Sequence, residues 1–299
     1  MAPSSPRPAW SRPSAARRAA AWVGRDGWRH LVMLVVLVFA LFPILFVVSA
    51  ALNPLGTLSS SSLVPRSVGA DNLVELLTRT RFGAWYANSL LIALANSAAT
   101  VFLSAMAAYV FSRFRFAGRR LGLYGLLMVQ MFPQFLAIVA IYLMFSVVGE
   151  HWPQVGFNTR TGLLLVYLGG ALSVNTWLMK GFFDTVPREL DESAQVDGAS
   201  HAQVFFRILL PLVTPVLAVV GLLVFISTVN EFLIASVFLR DPGAKTVAVG
   251  LYGMVADQRD ANFGMFSAGT LLLAIPVLAV FWYLQRYIVS GLTTGAVKG

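Results

Sequence analysis

Six stretches of this chain are long and apolar enough to cross a bilayer as helices. They run approximately Leu31–Leu52, Trp85–Phe111, Leu121–Val148, Leu163–Phe183, Ile208–Leu239 and Phe263–Leu284. A hydrocarbon core of about 30 Å needs roughly 20 apolar residues in helical form. A lone span in lipid must satisfy its backbone polar groups internally, which a helix does. The fold class that follows is all-α: a polytopic membrane protein with six transmembrane helices. Only 12% of the 299 residues are charged and 58% are hydrophobic, with a mean hydropathy of +0.75. A soluble domain carries about a quarter charged residues. The last two blocks exceed a minimal span, which predicts tilt or polar ends.

The net charge of +9 would suit a nucleic-acid partner, but its distribution points elsewhere. Fifteen Lys and Arg fall on the side of the N-terminus, in the tail, at Arg113–Arg120, around Lys180–Arg207 and after Arg286; seven fall on the other side. By the positive-inside rule both termini are cytoplasmic in the plasma (inner) membrane. The acidic residues divide evenly, with Glu231 left inside the fifth span. The charge is therefore an orientation signal and a contact for membrane lipid headgroups, and no nucleic-acid partner is expected. With no cysteine, disulfides and thiolate metal sites are excluded.

Residues 1–30 read as a disordered, basic cytoplasmic tail. Residues 31–52 form the first span; at about 20 residues the run outlasts the usual signal-peptide core of 7–15, which favours a retained helix. Residues 53–84 are an extracytoplasmic segment, irregular from Asn53-Pro54 onward. Residues 85–290 form a five-helix core, and 291–299 a cytoplasmic tail.

The longest polar gap of the second half is 184–207. Pro187 suits a helix start, and Glu189, Asp191 and Glu192 fall where the helix dipole favours negative charge. Ala194 permits close approach, and Gly198 can turn the chain between two short helices. Pro211 and Pro215 open the fifth span. The expected result is a short helix-turn-helix under the membrane, a lever between a soluble partner and the fifth span; an ordinary amphipathic connector is the plainer alternative.

Glu192-Ser193-Ala194, three residues, Gly198, nine residues, then Ile208-x-Leu210-Pro211 resembles the EAA signature of ABC-importer permeases, with Ser193 in place of the second alanine. The segments FLRDPGAKTVAVG (238–250) and QRYIVSGLTTGAVKG (285–299) look like MalG-type permease subunits of maltose and maltodextrin importers, in the binding-protein-dependent transport family. AYVFSRFRFAGRR (108–120) and MFPQ (131–134) are similar to carbohydrate-importer permeases generally. The resemblance implies the ABC type I importer permease fold. It also implies a second, MalF-type permease, a MalK-type ATPase dimer and an extracytoplasmic sugar-binding protein as partners. It implies ATPase coupling at Glu192, Ser193, Ala194, Asp197, Gly198, Ile208 and Pro211. Val297, Lys298 and Gly299 would contact the ATPase, and Gly253, Met254, Asp257, Gln258 and Asn262 would lie in a loop reaching the binding protein. A frayed end and a plain solvated loop are the plainer readings of those two segments.

Asn230 and Glu231 are candidates for a polar cavity, since a charge within a span is functional by default. Capping of a neighbouring helix is the alternative role for Glu231. Asn88, Asn96, Gln130, Gln134, Ser173, Asn175 and Thr228 line a polar path or bond helices together. Gly243-Ala244-Lys245-Thr246 imitates the end of a phosphate-binding loop without its glycine spacing, so this chain is expected to hold no cofactor; ATP and Mg belong to the partner ATPase. No nucleophile elbow or zinc motif supports an enzyme. Three functional classes remain: a sugar-importer permease, with trehalose or another α-glucoside as alternative cargo to maltodextrin; a secondary transporter; or a membrane scaffold. One intramembrane acid and no convincing repeat weigh against the second, and the third has no need of the signature.

Overall fold

A computed structural model describes residues 27–54, 63, 67–256 and 263–296. The described residues are helical throughout their regular structure: α1 (Trp28–Leu52), α2 (Asp71–Arg79), α3 (Phe82–Arg113), α4 (Arg119–Met131), α5 (Gln134–His151), α6 (Arg160–Thr185), α7 (Glu189–Val196), α8 (His201–Leu212), α9 (Thr214–Asn230), α10 (Leu233–Phe238), α11 (Val247–Ala256) and α12 (Phe263–Ala296). Four helices, α1, α3, α6 and α12, are each long and apolar enough to cross a membrane; the count reaches six when the bent pairs α4/α5 and α8/α9 are one span each.

The third span differs from expectation. It is broken, with α4 and α5 meeting at 103°. The cause is local: Pro133 forces the residue before it out of the helical region, and Phe132 takes φ −75°, ψ 130°. The fifth span also differs. It ends at Asn230 rather than near 239, and α9 joins α8 at a 77° bend. Pro211 has no N–H and would crowd the carbonyl a turn earlier. The helix widens to a π turn over Val204–Leu209 immediately before it.

Helix α3 is the hub, packing most extensively on α6 and α9. At one end Ala105, Ala108 and Tyr109 of α3 meet Met179 and Phe183 of α6, Phe205 and Leu209 of α8, and Val216 of α9. At the other, Phe82 and Trp85 pack with Leu76, Leu251 and Met265. Between them Ala93 seats on Phe225 and Val229. α1 is exposed over most of its length and packs only near its end, where the Asn72 amide donates to the carbonyls of Ala51 (3.0 Å) and Asn53 (2.8 Å) and so satisfies its last turn.

Several expected boundaries shift. α1 begins at Trp28, inside the segment read as disordered tail, and α2 lies within the outer segment 53–84. α12 continues through 291–296, where a tail was expected. Gly253 and Met254 lie in α11 rather than in a loop. Asp257, Gln258 and Asn262, with Val297, Lys298 and Gly299, lie outside the described residues.

Candidate functional site

The segment 184–212 is built as two short helices with specified ends. α7 carries Glu189, Asp191 and Glu192 in its first turn. It stops at Gly198, whose φ of +87° is open to glycine at little cost. There the Ala199 N–H donates to Ala194 O (2.9 Å) and the Gly198 N–H to Gln195 O (3.0 Å), the bond pair of a Schellman motif. α8 then starts at Ser200, whose hydroxyl accepts from the Gln203 N–H while the Gln203 side chain accepts from the Ser200 N–H. This capping box was legible as Ser200-His201-Ala202-Gln203 and went unread.

The element is fastened to the end of α3. Arg113 Nε lies 2.5 Å from Asp191 Oδ2, both side chains being less than a tenth exposed. No hydrogen bond joins them: Arg113 Nε has no hydrogen-bond partner, and neither has the other carboxylate oxygen, Asp191 Oδ1. The pair is thus held by charge, and its guanidinium is oriented by a bond from Arg113 Nη2 to Val186 O (2.9 Å). Arg188 donates to Ser112 O (2.9 Å), Ser112 to Asp184 (2.6 Å), and Lys180 pairs with the same carboxylate at 2.5 Å. Tyr109 meets Phe114 edge-on and lies tilted against Phe183 and Phe205, and its hydroxyl reaches His201 O at 3.4 Å.

Of the predicted coupling residues, Glu192, Ser193, Asp197 and Gly198 share an exposed surface, as does Pro211, while Ala194 and Ile208 are half-buried. Asp191 lies in the first turn as expected and is also buried, turned inward to Arg113. Leu190 and Val196 were missed: both are apolar and exposed, Val196 at 87%.

Glu231 is not within a helix, since α9 ends at Asn230. It caps the end of α9, and its carboxylate accepts from the Ile234 N–H (2.7 Å), the Ala235 N–H (3.0 Å) and the Tyr167 hydroxyl (2.5 Å). It holds the start of α10 against α6, the capping role left open above. Asn230 bonds its own helix at Ile226 O. Between α4, α5, α6 and α9 lies a cavity of about 810 Å³, lined by Asn96, Gln130, Phe132, Tyr167, Thr228 and Glu231 among others. Its polar groups are largely engaged: Asn96 donates to Thr228 (2.8 Å) and Gln130 to Gly170 O (2.9 Å).

At the opposite end, the Asn88 amide faces the carbonyls of Gly243, Ala244 and Lys245 at 2.9–3.0 Å and accepts from Arg160, while Trp85 donates to Pro242 O. The Ser89 hydroxyl accepts from the Val247 N–H. Gly250 lets α11 lie on the Trp85 ring, which a side chain there would overlap. α11 and its connection are thereby fixed to α3. Among the described residues no group of His, Asp and Glu is placed to hold a metal ion.

Residues 100–293 match the family described as binding-protein-dependent transport system inner membrane component. The galactooligosaccharides transport system permease protein GanQ of Bacillus subtilis is 39% identical, over 90% of this chain and 94% of its own. The maltodextrin transport system permease protein MdxG of the same organism is 37% identical over 90% and 95%. The maltose/maltodextrin transport system permease protein MalG of Escherichia coli K12 is 38% identical over 90% and 95%. Among solved structures, a chain of a bacterial ABC transporter involved in the import of the acidic polysaccharide alginate superposes with a TM-score of 0.74, at 21% identity, over 92% of this chain and 99% of that one.

Proposed function

We propose, from the premise that this chain belongs to the family of binding-protein-dependent transport system inner membrane components, that it is one of two permeases through which an ATP-driven importer moves maltose or a maltodextrin. The observation that carries the reading is the α7–Gly198–α8 element. It presents Glu192, Ser193, Val196 and Gly198 outward on a base clamped to α3 by Arg113 and Asp191. An ATPase dimer docks there and does the hydrolysis, so this subunit is not itself catalytic. A second, MalF-type permease completes the pathway, an extracytoplasmic binding protein delivers the sugar, and both termini are cytoplasmic. When the ATPases close, α8 moves with α7 and α9 follows through the bend at Val213. The two permeases thereby pass between inward- and outward-facing states, with the cavity beside Tyr167 and Glu231 contributing to the path.

The similarity to a galactooligosaccharide permease, at 39%, favours a galactooligosaccharide cargo as the second reading. ATP hydrolysis by the assembled complex with its binding protein, measured with maltotriose, galactobiose and trehalose in turn, separates them. Stimulation by maltotriose supports the first reading. Stimulation by galactobiose or trehalose alone keeps the class and replaces the cargo.

A further inference from the structure

The connection between α3 and α4 separates two kinds of arginine. Arg113 is spent on Asp191 and Val186. Arg115 and Arg120, just beyond it, are exposed and make no ion pair with a described residue. Arg119 uses only Nε, on Phe111 O at 2.7 Å, and leaves the two terminal nitrogens of its guanidinium. Its acidic neighbour, Asp184, is already held by Ser112 and Lys180. No Asp or Glu occurs between Arg113 and Glu150. The three arginines line one groove of about 720 Å³ with Phe116, Leu121 and Leu123. Gly118, at φ +84°, makes the turn that brings Arg115 and Arg119 to the same groove. From there Leu121, Tyr124 and Met128, all exposed, continue along α4 at helical spacing on one face.

We infer that this groove binds the headgroup of an anionic phospholipid, with an acyl chain lying on the Leu121–Tyr124–Met128 stripe. Guanidinium forks match phosphate oxygens in pairs. The apolar stripe starting at the cationic groove selects the occupant. A soluble anion would leave Leu121 and Met128 uncovered, and an acidic protein surface would not follow a stripe into the membrane. Clustered Lys and Arg beside a span are attracted to anionic lipid at about 1 kcal/mol each. The site lies one connection away from the Arg113–Asp191 clamp, so a bound lipid would hold the base of the coupling element.

The test uses the assembled complex in nanodiscs of mixed phosphatidylglycerol and phosphatidylcholine, extracted and read by native mass spectrometry. The expected result is preferential retention of phosphatidylglycerol. That preference should fall about thirtyfold in the double variant Arg115→Gln/Arg120→Gln and be largely kept in Arg115→Lys/Arg120→Lys. Equal retention by native and Gln forms would overturn the proposal. So would displacement of the lipid by millimolar inorganic phosphate, which marks a soluble-anion site. Loss of the ATPase from the Gln variant in lipid-free detergent would instead make the patch a protein contact. The lipid readout does not depend on which sugar is carried or on whether an ATPase is coupled.

Discussion

Arg113 and Asp191 stand 78 positions apart in sequence and meet in a site less than a tenth exposed. A buried pair is costly to break from one side, because the survivor is an unpaired buried charge, typically by about 3–5 kcal/mol. Asp191→Leu or Arg113→Met alone should therefore lower the thermal midpoint of the complex and weaken its hold on the ATPase. The double variant, apolar on both sides, should recover much of the loss. Thermal unfolding of the four forms as a double-mutant cycle checks this, and simple additivity would refute the clamp. Gly198 invites a different substitution series. A side chain there would meet nothing within this chain, so the cost within the chain is the backbone's: about 1–2 kcal/mol for an ordinary residue at positive φ, less for Asn. Substrate-stimulated hydrolysis should fall in the order Gly, Asn, Ala, Val at position 198. Gly198 was legible as a turn from its spacing. Asp191 was not legible as an anchor, since no local pattern names a partner 78 residues away.

At the scale of elements, hydropathy located six apolar blocks, four of them single long helices, and did not register the bend in the other two, although the prolines opening the fifth block allowed a kink there. The third and fifth blocks are apolar on both sides of their breaks, and a window average cannot register direction. The signals were single residues: Pro133 for the 103° bend and Pro211 with Pro215 for the 77° one. The end of α9 was hidden for the same reason, because apolar residues continue past Glu231 into α10. Glu231 repays the break by satisfying two N–H groups of α10. Tyr167→Phe removes one hydrogen bond to that carboxylate and should cost about 1 kcal/mol, whereas Glu231→Ala also orphans the cap and should cost more. Thermal midpoints in detergent distinguish the two. At the far end of α3, Asn88→Leu frees the carbonyls of Gly243, Ala244 and Lys245. Amide exchange over 242–250 should then rise while α3 itself stays protected; unchanged exchange would show that Asn88 does not hold the segment.

Across the whole molecule, one helix joins the element proposed to meet the ATPase to the base of α11 at the opposite end. α3 grips α7 and α8 through the Ser112 carbonyl, which accepts from Arg188 at the start of α7, and through Arg113 and Tyr109, and it grips the base of α11 through Trp85, Asn88 and Ser89. The proposed lever at one end is therefore joined through α3 to the base of α11 at the other, which suits alternating access by rigid-body movement. The most direct test of that coupling is ATP hydrolysis by the reconstituted complex, with its binding protein and maltotriose, for the native chain and for Gly198→Pro. The account predicts sugar-stimulated hydrolysis in the native complex and its loss in the variant, with the variant still inserted in the membrane. Equal stimulation in both, or a native chain that associates with no ATPase, would contradict it.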